Sequence, residues 1–348
     1  MLDPAAIQLA QARRGSGLYE SYYFRGTSVD GRTALWLKHN LLRRSGSKQI
    51  TVMATVVAFD RKTGEAKCTY DMDEINPLSF QQFAKNGSWE DAAFNFASGS
   101  FFEIADDHLR GKLHTPRGSA SWELNLAPSG ETFFHFPNER LYRLPLPRHK
   151  LLTRDCRVRL SGRLSCAGMV LSGEFVGICG HNWGSSHASE YAYAECNAFR
   201  EDEEAFFDGF SARMSVAGGL LQTPYLSMAA LKAEGQWHYF NRALAAPRQA
   251  VDAIDNYRWL ATFHNDTHRL EVAIDGANPR VEPWIALNYE QPNGQRSVVK
   301  NTKFAAGKLR LYEKHAQLPQ CELSSEFFEL ETLLPRNVPT SKSYLGEA

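Results

Sequence analysis

The sequence predicts an all-β protein of two consecutive antiparallel β-barrel domains, 1–178 and 179–348. Three observations carry that reading. Runs rich in aromatic and β-branched residues recur roughly every ten residues, separated by Gly-containing turns. Aromatic content is 12%, with Phe 21, Tyr 13 and Trp 7, a composition suited to pleated surfaces and large apolar pockets. At 348 residues the chain is long for a single core, so two domains are the natural division.

Residues 1–14 read as a short helix or an arm, and 18–25 (LYESYYFR) as an aromatic strand. The turn at 26–32 contains Asp30-Gly31, a strong hairpin signal. Strands follow at 33–42, 50–60 and 66–70, then a mixed stretch at 77–93 in which 88–91 caps a short helix. Shorter strands are expected at 98–104, 108–113 and 119–126. The segment 133–152 holds three prolines, cannot be a central strand throughout, and reads as a connection over a barrel mouth. Strands at 158–170 and 173–179 complete the first half.

The second half repeats the rhythm with strands at 205–215, 225–233, 236–241, 257–264, 269–274, 284–289, 296–302, 307–313 and 327–333. Turns are expected at Ala217-Gly218-Gly219, Glu234-Gly235, Asp275-Gly276 and Asn293-Gly294, and a helix over 244–255.

The stretch 179–199, CGHNWGSSHASEYAYAECNAF, joins the halves and concentrates polar aromatic chemistry. His181-Asn182-Trp183-Gly184 reads as a turn, since Asn and Gly tolerate positive φ. From Tyr191 the period is two: Tyr191, Tyr193, Glu195, Asn197 and Phe199 share one face, and Ala192, Ala194, Cys196 and Ala198 the other. The size contrast suggests that the large face lines a cavity and the alanine face packs outward.

Composition excludes several classes. Lys+Arg and Asp+Glu balance at 39 each, and no basic stripe marks a nucleic-acid partner. No apolar run is long enough for a spanning helix, and the N-terminus carries no secretory h-region, so a soluble cytoplasmic protein is expected. The six Cys are scattered without a CxxC pair, which points to free thiols rather than disulfides or a metal site. GxSxG, HExxH and a Gly-rich phosphate loop are absent from the sequence; no cofactor and no metal are expected. His264, Asp266 and His268 fit a hairpin turn without a metal.

The run Asn182-Trp183-Gly184, followed by Tyr191-x-Tyr193-Ala194-Glu195-Cys196-Asn197-x-Phe199, resembles the pattern of tocopherol cyclases. The opening Tyr19-Glu20-Ser21-Tyr22-Tyr23-Phe24 resembles the Glu-Gly-Trp-Tyr-Phe strand of the same proteins. His181-x-Trp183 is similar to the functional His and Trp of carotenoid 1,2-hydratases (hydroxyneurosporene synthases). The resemblance implies the lipocalin-like superfamily of double β-barrels, which also includes fungal Diels–Alderases. It also implies an acid that protonates an alkene, and the nearest match to that Asp is Asp208 in Phe206-Phe207-Asp208-Gly209-Phe210. Three departures are plain: Glu195 stands where the cyclase pattern has Gln, Ser21-Tyr22 stand where it has Gly-Trp, and the Tyr of the hydratase pattern is missing beside Asp208.

Such chemistry needs a protonated carboxyl beside an apolar chain. A carboxyl group among aromatics keeps its proton because desolvation penalises the anion, and the surroundings of Asp208 fit. The expected catalytic set is Asp208, His181 and Glu195, with His181 or His187 as base. Asn182, Trp183, His187, Tyr191, Tyr193, Asn197 and Tyr22 are expected to contact a hydrophobic isoprenoid or polyene substrate that reaches the protein from a membrane surface. The function implied is a cofactor-independent hydratase or cyclase. Its rivals are a lipocalin-like carrier of a hydrophobic small molecule and a structural protein with a filled core.

Each residue also has a plainer role. Trp183 can close a barrel end, the two His can bond loop carbonyls, the tyrosines can reach solvent, and Glu195 can pair with an Arg. A one-residue slip would put Asp208 outside.

Overall fold

The structure is a computed structural model that describes residues 2–13, 15–116, 118–216, 221–277 and 283–334. Strands β1 (Leu18–Ser28), β2 (Thr33–Arg43), β3 (Ile50–Asp60), β4 (Glu65–Ile75), β5 (Ala92–Asn95), β6 (Phe101–Ile104), β7 (His108–Thr115), β8 (Gly118–Pro128), β9 (Phe133–Phe134), β10 (His149–Cys166) and β11 (Met169–Gly184) form one antiparallel sheet. Its order is β4-β3-β2-β1-β11-β10-β8-β7-β6-β5, with β9 beside β10.

The second sheet uses β12 (Glu190–Cys196), β13 (Phe206–Arg213), β16 (Leu226–Ala233), β17 (Gln236–Phe240), β18 (Ala250–Ile254), β19 (Arg258–His264), β20 (His268–Asp275), β21 (Trp284–Glu290), β22 (Arg296–Glu313) and β23 (Cys321–Leu333), while β14 (Ser215–Val216) and β15 (Leu221–Gln222) make a separate ribbon. Its order is β17-β16-β13-β12-β23-β22-β20-β19-β18, with β21 beside β22. The fold is all-β, two curled antiparallel lipocalin-like sheets in succession.

Each sheet curls around its own apolar filling. Leu37, Val56, Leu109, Leu160 and Phe175 belong to the first; Phe207, Leu231, Trp259, Phe263 and Phe328 belong to the second. A third cluster joins the sheets back to back: Trp36, Val57 and Phe59 of β2 and β3 meet Ile285, Leu287 and Phe304 from β21 and β22.

Several expectations are corrected. His181-Asn182-Trp183-Gly184 is not a turn but the end of β11, paired with β1 on one side and β10 on the other. Its glycines mark close approach instead: a Cβ on Gly184 would sit 2.0 Å from the Arg148 carbonyl, and one on Gly180 would strike the Tyr23 ring. The first sheet therefore extends to Gly184, and the chain changes sheets within 185–189 rather than at 178/179. Residues 158–179 do not break near 171–172. The reversal is the two-residue turn Ala167-Gly168, with φ of 46° and 86°, a primed turn that suits the twist of its strands.

The stretch 244–255 is not helical; a short 3-10 turn at Ala246–Arg248 leads into β18, whose ladder with β19 overrides local composition. The turn expected at Ala217-Gly218-Gly219 lies outside the described residues. The six cysteines are free thiols. No helix among the described residues is long and apolar enough to cross a membrane.

Candidate active site

Strand alternation gives the central strands two unlike faces. On β12, Ala192, Ala194 and Cys196 point into the filling of the second barrel, which reverses the expected orientation. Tyr191, Tyr193 and Glu195 point out of that barrel, towards the first sheet. Opposite them, β1 presents Tyr19, Tyr23 and Arg25, while its Tyr22 and Phe24 join the filling of the first barrel. The polar aromatic residues meet along a seam between the barrels.

Asp208 sits at one end of the seam, fully buried. It is the register partner of Glu195 across β12 and β13. Phe206 and Phe210 flank it on the seam face, whereas Phe207 points into the second barrel, so two of the three neighbouring phenylalanines share its surroundings. Thr153 Oγ1 of β10 donates to its Oδ2 at 2.5 Å, and the Tyr193 hydroxyl donates to the same oxygen at 3.4 Å. His135 Nε2 meets Oδ1 at 2.8 Å, so one proton is held between the imidazole and the carboxyl. The other ring nitrogen, His135 Nδ1, is buried with no hydrogen-bond partner among the described residues. His135 follows β9 in the proline-containing segment, which crosses the seam instead of covering a barrel mouth.

A buried ion network occupies the middle. Arg25 pairs with Glu195 and reaches Glu329 of β23 at 2.7 Å, and Lys303 of β22 holds Glu329 at 2.8 Å. Burial works against the Glu329 charge, but Lys303 and Arg25 outweigh it and hold the carboxyl below the usual range. Glu331 accepts from Tyr191 at 2.5 Å, Tyr289 at 3.1 Å and Asn301 at 3.0 Å.

The far end is aromatic. Tyr19 stacks on His187 with centroids 3.7 Å apart, and its hydroxyl meets His149 Nδ1. Burial pushes His149 down to about 4 and moves His187 well below the ordinary histidine value. Burial likewise raises the phenols of Tyr23, Tyr191, Tyr193 and Tyr289 well above theirs. Yet these six side chains are only half-buried by accessible surface. The seam thus gathers phenols, imidazoles and ring faces that keep some accessible surface.

The residues expected from sequence divide between this seam and other places. Asp208, Glu195, Tyr191, Tyr193 and His187 lie along it, and half-buried Asn182 is on the seam face of β11, opposite Ser21. His181 does not join Asp208. It lies on the barrel face of β11, where Glu20 Oε1 at 3.0 Å and the Pro4 carbonyl at 2.8 Å engage its two nitrogens. Glu20 also accepts from Trp89 and from the amides of Gln8 and Leu9, so this group anchors the N-terminal segment. Tyr22 is in the same barrel, stacked on Trp89.

Trp183 packs with Phe136, Tyr142 and Met228 at an edge of the seam. Asn197 is a strut: its amide donates to Gly177 O at 2.7 Å and Cys156 O at 3.3 Å. Glu195 takes its plainer role as partner of Arg25. Sequence reasoning missed His135, Thr153, Arg25 and Lys38; for the last two the signal was present, a cation between bulky aromatic or aliphatic neighbours in a strand.

No protein-family model matches the sequence, and no curated protein matches it. The fold does match solved structures. The AttH-like protein NE1406 of Nitrosomonas europaea superposes with a TM-score of 0.53 at 12% identity, covering 96% of this chain and 98% of that one. CghA bound to Sch210972 gives 0.54 at 11% identity, covering 95% and 94%. Kievitone hydratase from Nectria haematococca superposes less well, at 0.46 and 10% identity, covering 95% and 93%. The likeness to NE1406 and CghA is one of fold, and it extends over nearly the whole chain.

Proposed function

We propose that the protein is an acid–base enzyme of the hydratase or cyclase type that acts, without a cofactor, on an apolar unsaturated small molecule held in the seam. The observation that carries this reading is the Asp208–His135 pair: a fully buried carboxyl bound to a buried imidazole whose second nitrogen has no partner among the described residues, next to the rings of Phe133 and Phe210. In a hydration, the pair delivers its proton to one carbon of an alkene. The faces of Tyr23, Tyr193 and Phe210 stabilise the cation that forms on the other carbon. Water, or a hydroxyl of the substrate in a cyclisation, adds to that carbon and returns a proton to the pair. Thr153 and Tyr193 fix the carboxyl so that Oδ1 keeps facing His135. CghA, which shares this fold, was solved with Sch210972. That precedent supports a small-molecule ligand. We place the protein in the cytoplasm, taking substrate from membranes.

The test is Asp208→Asn assayed with acyclic isoprenoid alkenes. Turnover should fall at least about 100-fold, the usual contribution of a positioned proton donor, while ligand affinity stays within a few-fold. Unchanged turnover would remove Asp208 from the chemistry. A protein that binds the alkenes tightly and never converts them would be a carrier.

A further inference from the structure

Among the described residues, the charges of the seam leave Lys38 without an acceptor. Lys38 of β2 is 7% exposed, and its ammonium lies 3.7 Å from the centroid of the Tyr289 ring and 5.2 Å from that of Trp36. Among the described residues it forms no ion pair within 4.0 Å and no side-chain hydrogen bond. The carboxylates that would serve are engaged elsewhere: Glu195 and Glu329 by Arg25 and Lys303, and both oxygens of Glu331 by Tyr191, Tyr289 and Asn301. Three N–H donors facing ring surfaces, with no acceptor beside them, are available to an anionic group.

Its position relative to Asp208 is set by register. Lys38 pairs with Tyr23, Tyr23 with Gly180, and Gly180 with Thr153, whose hydroxyl bonds Asp208. The row crosses three strand spacings, so the Cα atoms of Lys38 and Thr153 are about 14 Å apart. The Tyr23 ring lies over Gly180 in the middle of that row, the one place where a side chain on β11 would block it.

We propose that Lys38 binds an anionic oxygen of the substrate, a carboxylate or an enolate, and so orients an apolar unsaturated tail along the Tyr23 row towards Asp208. The substrate class is then an amphiphile with an acidic head rather than a plain hydrocarbon. This deepens the proposed function and rests on the seam being the ligand site. Burial pulls the Lys38 amine down to about 8, with Glu331 opposing the shift. It is therefore charged at neutral pH and loses its charge just above. The titratable groups facing it are Glu331 and Glu329 of β23, Lys303 of β22, Tyr289 of β21, Tyr19 and Tyr23 of β1, Tyr191 of β12, and His187.

Calorimetric titration with geranic acid and with geraniol, which share a carbon skeleton, tests the proposal. Wild type should bind the acid at least about tenfold more tightly than the alcohol at pH 7, and that preference should fade by pH 9. Lys38→Met should weaken the acid about tenfold and leave the alcohol within threefold; Lys38→Gln is the second variant should Lys38→Met fail to fold, with thermal melts as control. Asp208→Asn should bind the acid as wild type does. Equal affinity for the two probes in wild type, or equal losses in the Lys38 variants, would overturn the role of Lys38 alone. Failure of both probes to bind at millimolar concentration would overturn the seam as a ligand site, and both proposals with it.

Discussion

The inside of each barrel and the seam between the barrels are built from the same strands and differ in almost every physical respect. The second barrel is filled by Ala192, Ala194, Phe207, Leu231 and Trp259, side chains with little chemistry to offer. On the other face of the same strands lie Tyr191, Tyr193, Glu195 and Asp208, with ion pairs to Arg25 and Lys303 close by. The first barrel falls between these extremes: its apolar filling includes polar groups, among them the bonded set Glu20–His181–Trp89 and the buried His39. Barrels that are filled cannot hold a ligand of useful size. The seam instead buries charges and phenols, and the cost of burying those charges is what marks it as a candidate site.

The largest expected effect concerns that cost. Arg25→Met leaves Glu195 and Glu329 facing each other without their shared cation and should destabilise the fold by about 3–5 kcal/mol in denaturant unfolding. Adding Glu195→Gln should recover part of the loss. If Arg25→Met were neutral, the network would not be the compensated unit described.

On the barrel face, Ala194→Leu should cost about 1–3 kcal/mol by overpacking, with no change in ligand affinity, because Ala194 is buried on the side away from the seam. A loss of affinity larger than the loss of stability would blur the comparison.

Titration separates the regions further. His39, inside the first barrel, is held at about 3 and His149, in the seam, at about 4, both by burial and both below the 6.5 of an unfolded chain. The unfolded state therefore takes up protons first, so stability is present above pH 6.5 and is lost as pH falls from there towards 4. Each histidine contributes up to about 1.4 kcal/mol per pH unit. Lys38 and Lys303, each near 8, give the opposite limb. Below 8 both states are protonated, so the burial penalty is present; stability rises with pH from 8 towards the ordinary lysine value of about 10.4. Pulse proteolysis across pH 4–10 reads both limbs. Replacing Lys38 should flatten the alkaline limb, and replacing His39 or His149 the acid one.

How much of this was legible depended on what each signal measures. Period two and turn chemistry specify strands locally, so β1, β2 and β3, the Asp30-Gly31 hairpin and the Glu234-Gly235 turn are where the sequence put them. Period two also separates the faces of β12, but nothing local says which face is inside. Ala192 and Ala194 are small because the filled barrel leaves no room there, not because they pack against the outside. Gly180 and Gly184 imitate turn residues, while their reason is close approach between distant segments. His135 belongs to a segment without periodicity, and its meeting with Asp208 spans 73 residues of sequence, beyond any local pattern.

Diffraction from crystals soaked in geranic acid tests the central claim most directly. Ligand density is expected in the seam, with the carboxylate at Lys38 and the tail along Tyr23 towards Asp208 and His135. Density inside either barrel, with the seam unoccupied, would contradict it.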